Sequence, residues 1–294
     1  MKRAKAVLGL AVVIASVSVM ALPDKQGGQP ATVRNSTISN ENRNVENTAI
    51  NNSKINSGIQ ARGANIQDSK ISNVNRDVKN TALNNSRINS GVSADNANIK
   101  NSTLSNVNQN VTNTALNNSR INSGISADRA NIKDSVITNE NKNVTNLARD
   151  GSTINSGVNA DGATIRGSRI GNRNTDVTNT AVNNSRINSG VSAENANIID
   201  SKINNVNQNV TNTALNNSTI NSGVAADRAN IQNSQISNAN KDVKNIASNR
   251  SRINSGVNVT GANIRDSKIS NVNQNVKNTA TNNSEINSGV DLGQ

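Results

Sequence analysis

The 294-residue chain contains no cysteine, histidine, phenylalanine, tyrosine or tryptophan, and its only methionines are Met1 and Met20. Without thiols it cannot be a disulfide scaffold, whatever the redox state of its compartment. Without imidazole and thiol groups the usual general bases and nucleophiles of enzymes are missing. Without aromatic rings it lacks the side chains that bury most area in an ordinary core. The apolar fraction is 32%, against about 45–50% in typical soluble domains. Two explanations remain: a disordered polar chain, or a repeat fold whose small core is built from Ile, Val, Leu and Ala.

The N-terminus reads as a secretory signal. Lys2, Arg3 and Lys5 form a basic start, and Ala6 to Ala21 is an almost uncharged apolar run. That run is shorter than the ~20 residues needed to span a bilayer, so cleavage after Ala21 is expected, giving a signal peptide over 1–21. Both methionines leave with it. Of the formal charge of +12, three positives leave as well, so the mature chain carries about +9. A short leader, 22–30, holds both prolines, Pro23 and Pro30. Secretion to the extracellular side, in association with a cell surface, is the expected localisation.

Self-similarity sets the fold expectation. Ile55, Ile88, Ile121, Ile154, Ile187, Ile220, Ile253 and Ile286 each open an Ile-Asn-Ser-Gly tetrad, and neighbours are 33 residues apart every time. The units are 31–63, 64–96, 97–129, 130–162, 163–195, 196–228, 229–261 and 262–294, without insertion or deletion. Each unit is itself double. A Ser followed two residues later by Ile or Leu recurs at spacings alternating 17 and 16, as at Ser36, Ser53, Ser69 and Ser86. Asn, Ser, Gly and β-branched residues are poor helix formers, and runs such as Ala97-Asn98-Ile99 alternate with the period of a strand. Gly and Asn at Ser90-Gly91 and Asn117-Asn118 suit tight corners. The fold expected is all-β: a β-solenoid, or β-helix, of about sixteen coils of 16–17 residues, paired as eight 33-residue double-coil repeats.

In such a stack identical side chains lie about 4.8 Å apart, and Asn carboxamides can bond along the axis. Asn106, Asn108, Asn110, Asn113, Asn207, Asn209 and Asn212 are the candidate ladder. Ile88, Leu104, Ile121 and Ile137 would form one inward column, with Ile99, Ile132 and Ala115 contributing to another. The residue between each anchor Ser and its Ile is often basic: Lys54, Lys70, Arg87, Arg120, Arg169, Arg186, Lys202, Arg252 and Lys268. Alternation points these outward as one basic stripe, suited to anionic polysaccharide or extracellular DNA, or serving only as a solvated face. Asp68, Asp134, Asp200 and Asp266 would partly neutralise it. With no aromatic for base stacking, sequence-specific nucleic-acid binding is not expected.

No serine stands beside a histidine base, and no calcium-repeat, zinc or phosphate-loop motif occurs. An enzyme, a cofactor, a metal site and a small-molecule substrate are therefore not expected. Solenoids that stay monomeric normally finish with polar-faced caps, whereas Ile286-Asn287-Ser288-Gly289-Val290 follows the consensus to the last coil, with neither proline nor inward charge to protect the edge.

The second half-unit resembles the curlin repeat, in which a Ser is followed by Gln six on, Asn eleven on and an Asn-x-Ala pair, with Asn here in place of the Gln. Ser102, Asn108, Asn113 and Ala115 keep that spacing, as do Ser201, Asn207, Asn212 and Ala214. The likeness covers alternate half-units. It implies an exported bacterial subunit that polymerises outside the cell into amyloid fibres of biofilm matrix, with a nucleator or export apparatus as further partners. The expected function is thus a secreted structural protein, with itself as principal partner, assembling end to end. The alternatives are a monomeric surface-binding β-solenoid, either an adhesin or an ice-binding protein, and a disordered secreted chain.

Overall fold

The computed structural model describes residues 32–61 and 63–292. The expected signal peptide and leader fall outside the described residues. Within them the chain is all strand and turn, wound into a β-solenoid of eight turns with only parallel pairing. Every register is a shift of one unit: Ile99 pairs with Ile132, Leu104 with Ile137 and Ile121 with Ile154.

One coil therefore takes 33 residues, and the expectation of sixteen coils of 16–17 residues is corrected. Ser102 stacks on Ser135, whose Oγ accepts from the Ser102 amide at 3.1 Å. It does not stack on Ser119, which stacks on Ser152. The 17/16 alternation marks two arms of a single coil that face each other. Asn106 on one arm reaches the Ser123 carbonyl on the other, 17 residues on, at 2.7 Å. Facing arms that both turn an isoleucine inward repeat in sequence as stacked coils do.

The coil 97–129 shows the plan. A short leading strand, Asn98–Lys100, is followed by a long strand, Thr103–Leu116, a return strand, Arg120–Asn122, and a two-residue closing strand, Ile125–Ser126. Each position builds its own axial sheet. The long sheet counts nine strands rather than eight because the first coil splits it at Asn44 into Thr37–Arg43 and Glu46–Ile50.

The corners account for much of the asparagine. Within the long strand Gln109 and Asn110 both face outward, so the inward set shifts phase from Leu104, Asn106 and Asn108 to Val111, Asn113 and Ala115. The turn is made by Asn110 in the left-handed region, and the equivalent residue of every coil is Asn or Asp with φ between 51° and 55°. Short polar side chains tolerate that conformation best after glycine. A second corner uses two such residues in succession, Asn117 and Asn118. At the third, Ser123-Gly124, a Cβ on Gly124 would lie 2.1 Å from the Gly157 carbonyl oxygen of the next coil. Only glycine fits that approach, which explains the Gly of every tetrad but the last, where a Cβ on Gly289 would meet nothing closer than Asn287 Oδ1 at 4.0 Å.

The interior is three apolar columns separated by polar ones. Ile99, Leu104, Ile125, Ala127 and Ala130 belong to the largest, Ala115 and Ile121 to a second, and Val111 to a narrow third. The expected inward residues all point inward, but Leu104 and Ile137 share a column with Ile99 and Ile132, while Ile88 and Ile121 stack with Ala115.

Candidate functional site

Between the apolar columns run the carboxamide ladders. Asn106 donates from Nδ2 to Asn139 Oδ1 at 2.8 Å, Asn108 to Asn141 at 2.8 Å, and Asn113 to Asn146 at 2.9 Å. Asn207 and Asn212 continue the second and third of these stacks. All five are essentially without solvent contact. Each Asn106 or Asn108 equivalent also donates across the coil to a serine carbonyl, so both amide hydrogens are used. A buried polar group costs free energy unless bonded, and the stack meets that demand in every interior coil. The remaining two candidates, Asn110 and Asn209, are not in these ladders. They sit at the exposed left-handed corner and donate to Asp77 and Asp176 of the preceding coil, at 2.8 and 2.9 Å.

The three buried ladders run in one sense, with Nδ2 donating toward the C-terminal coil, whereas the half-buried ladder through Asn122, Asn155 and Asn254 donates the other way. The two end coils are therefore not alike. Asn40, Asn42 and Asn47 donate into the stack and turn their carbonyl oxygens away from it. Asn271, Asn273 and Asn278 accept from it and turn their amide nitrogens away. In the last coil Asn273, Asn278 and Ala280 are exposed, whereas Asn42 and Ala49 of the first are buried.

The nine basic residues do not form the single stripe expected. Lys54, Arg87, Arg120, Arg186 and Arg252 stack on the return sheet, interrupted by Thr153 and Thr219 and ending at Glu285. Lys70, Arg169, Lys202 and Lys268 stand at the start of the long sheet. Since Lys70 and Arg87 lie on opposite arms of one coil, the charge is split between two faces. Asp68, Asp200 and Asp266 flank the second column, in a stack where Asn101 and Asn233 donate to Asp68 and Asp200 at 3.1 and 3.3 Å. The first column overlooks an axial groove of about 400 Å³, lined by Lys54, Arg87 and Arg120 with Asn89, Asn122 and Ser126.

A feature missed in the sequence lies along the closing sheet. Asp95, Asp128, Asp161, Glu194 and Asp227 occupy one position in five successive coils. Asp161 Oδ1 accepts from the Ser192 hydroxyl and, at 3.0 Å, from the Glu194 amide. Asp227 accepts from the Thr260 amide at 3.1 Å and from Asn258 Nδ2 at 2.9 Å. Asp128 Oδ2 accepts from Asn159 at 3.0 Å, while Asp128 Oδ1 and Asn159 Oδ1 are both buried acceptors without a donor. Burial, and then the neighbouring carboxylates Asp95 and Asp161, push the Asp128 carboxyl up to about 7. Asp161, Glu194 and Asp227 are raised too, chiefly by burial. The signal was present in the recurring Ala-Asp/Glu-x-Ala of this corner, as in Ala94-Asp95-Asn96-Ala97.

No protein-family model and no curated protein matches the chain. The curlin resemblance thus has no support beyond the residues that carry it. Among solved structures the chain is similar to HetL, a pentapeptide repeat protein of the cyanobacterium Nostoc sp. strain PCC 7120, at 12% identity and a TM-score of 0.16, covering 82% of this chain and 87% of that one. QnrB1, a plasmid-mediated fluoroquinolone resistance protein, aligns at 12% identity and a TM-score of 0.16 over 79% of this chain and 93% of its own. The Streptococcus pneumoniae surface protein and adhesin PfbA aligns at 10% and 0.13, over 82% and 91%. At such scores the backbones do not superpose globally.

Proposed function

We propose that the chain is a secreted structural subunit that self-assembles end to end into extracellular, amyloid-like fibres of a cell surface or biofilm matrix. The observation that carries this is the last described coil, whose outer edge has no strand partner among the described residues. Its long strand, Lys268–Thr281, pairs with Gln235–Ser248 on one side only. Its ladder residues Asn273 and Asn278 are exposed where Asn240 and Asn245 beneath them are buried. An unpaired parallel edge with half-used amides templates another coil. A head-to-tail contact between unlike faces does not close on itself and generates a filament. The lack of oxidisable side chains after removal of Met1 and Met20 suits a polymer outside the cell.

Incubating purified 22–294 and following it by negative-stain microscopy and fibre diffraction tests this. Fibres with an axial reflection near ~4.8 Å are expected, and persistent monomers with intact β circular dichroism would refute it. The groove under Lys54, Arg87 and Arg120 favours a second reading, a surface-binding solenoid that retains anionic polysaccharide. Retention of monomer on an anionic glycan column, lost on raising salt, would support it.

A further inference from the structure

Resting on the reading of an end-to-end polymer, we propose that a second copy of this chain docks its first coil on the open last coil in the interior register, keyed by Lys277 against Glu46 and Glu285 against Lys54 of the next copy.

The sign of charge along two columns carries this register. The column that begins at Glu46 continues with Lys79, then four threonines, and ends in Lys244 and Lys277. Its one acid is in the first coil, where Lys79 Nζ lies 3.0 Å from Glu46 Oε1. At the other end two lysines stand directly opposite each other, an unfavourable cross-strand pair. Continuing the stack with Glu46 of a next copy places a carboxylate over Lys277. The return-sheet column does the reverse. It is basic or neutral from Lys54 to Arg252, and its one acid is Glu285 of the last coil, 3.3 Å from Arg252 Nε. Lys54 of the next copy would flank Glu285 from the other side. In both columns the sign inverts only in an end coil, and in each case the inverted residue meets its opposite across the junction.

Four further columns agree. Asn101 donates to Asp68 and Asn233 to Asp200; Asn35 of a next copy would stand over Asp266 in the same Asn-over-Asp order. The interior ladders match as well, because amide nitrogens of Asn271, Asn273 and Asn278 would meet the carbonyl oxygens of Asn40, Asn42 and Asn47, once docking uncovers that face, where Asn42 and Ala49 are buried in the single chain. A tail-to-tail contact would set amide nitrogens against amide nitrogens. One column opposes the junction: Arg34 would stand over Arg265, whose charge is held by Asp266 at 3.3 Å.

The test is charge exchange at exposed positions, using full exported chains and circular dichroism to confirm the fold. Lys54→Glu and Glu285→Lys should each raise the critical concentration for polymerisation about fivefold or more, equivalent to about 1 kcal/mol per junction. The double variant should return close to the unaltered value, and mixing the two single variants should restore polymerisation at concentrations below the raised threshold of either alone. Lys277→Glu with Glu46→Lys supplies an independent pair. If the unaltered chain polymerises and no exchange changes its critical concentration, the keyed register is wrong while the polymer stands. If the folded, unaltered chain never polymerises, both fall.

Discussion

Asn141 donates to Asn174 Oδ1 and to the Ser156 carbonyl, both at 2.8 Å, and accepts from Asn108 at 2.8 Å. Truncating it strands the Asn174 oxygen, one Asn108 hydrogen and the Ser156 hydroxyl at a buried site, and a stranded buried group costs about 1–3 kcal/mol. Asn141→Ala should therefore lower stability by about 3 kcal/mol, while the same change at exposed Asn273 should cost under about 1 kcal/mol. Urea denaturation of the monomer measures both; equal effects would mean that the ladder does not stabilise the interior. Glycines divide in the same way. A Cβ on Gly157 would lie 2.1 Å from the Gly190 carbonyl oxygen, whereas one on Gly171 would meet nothing closer than Thr138 Cγ2 at 3.9 Å. Gly157→Ala should cost at least about 3 kcal/mol because backbone must move, and Gly171→Ala should be close to neutral, read from the same curves.

At the scale of the element, the acidic column makes stability depend on pH. Asp128 titrates at about 7 in the fold because it is buried beside Asp95 and Asp161, with Arg129 opposing only in part. A raised carboxyl pKa means that the folded chain binds its proton more tightly than the unfolded one. That stabilisation is complete below the unfolded value near ~4 and is lost as pH rises through about 7. The melting temperature should fall between pH 5 and pH 8, and Asp128→Asn should flatten the slope by raising stability at pH 8. A proton on Asp128 also adds a donor to a corner where Asp128 Oδ1 and Asn159 Oδ1 are both buried acceptors without one. A melting temperature independent of pH would contradict the assignment. How far such an element is legible in sequence depends on what repeats. Strands, inward isoleucines and left-handed Asn corners follow from period and residue type. The column of Asp95, Asp128 and Asp161 was hidden because exposed aspartates such as Asp68 also recur in register with the 33-residue unit. Burial is set by how the closing corner folds in, which spacing does not report. The split of the basic residues was hidden for a related reason: Lys70 and Arg87 stand in the same Ser-basic-Ile context on opposite arms.

At the scale of the molecule the decisive quantity is the length of a coil. Residues 33 apart keep their type, as Asn106 and Asn139 do, whereas residues 16 or 17 apart match only at the Ser and Ile anchors. A true stack needs every column to match, because slipping a strand by one residue turns its inward set outward. Excising 163–195 joins Gly162 to Ala196 in phase, restacks Asn141 on Asn207 and Ile165's neighbours Ile132 and Ile198 on each other, and removes one coil and one interface. In a solenoid, stability is close to a sum over coils and their contacts. The shortened chain should keep its β circular dichroism per residue and melt only a few degrees lower. Its critical concentration should also be unchanged, since both end coils are intact. Excising 168–184 instead leaves half a coil. It sets Gly190 where Arg173 stood and carries every later ladder residue off its column. That variant should lose cooperative unfolding. If instead the half-coil deletion folded as well as the full one, the repeating unit would be the 16–17-residue arm, and the facing-arm arrangement of Asn106 and Ser123 would be wrong.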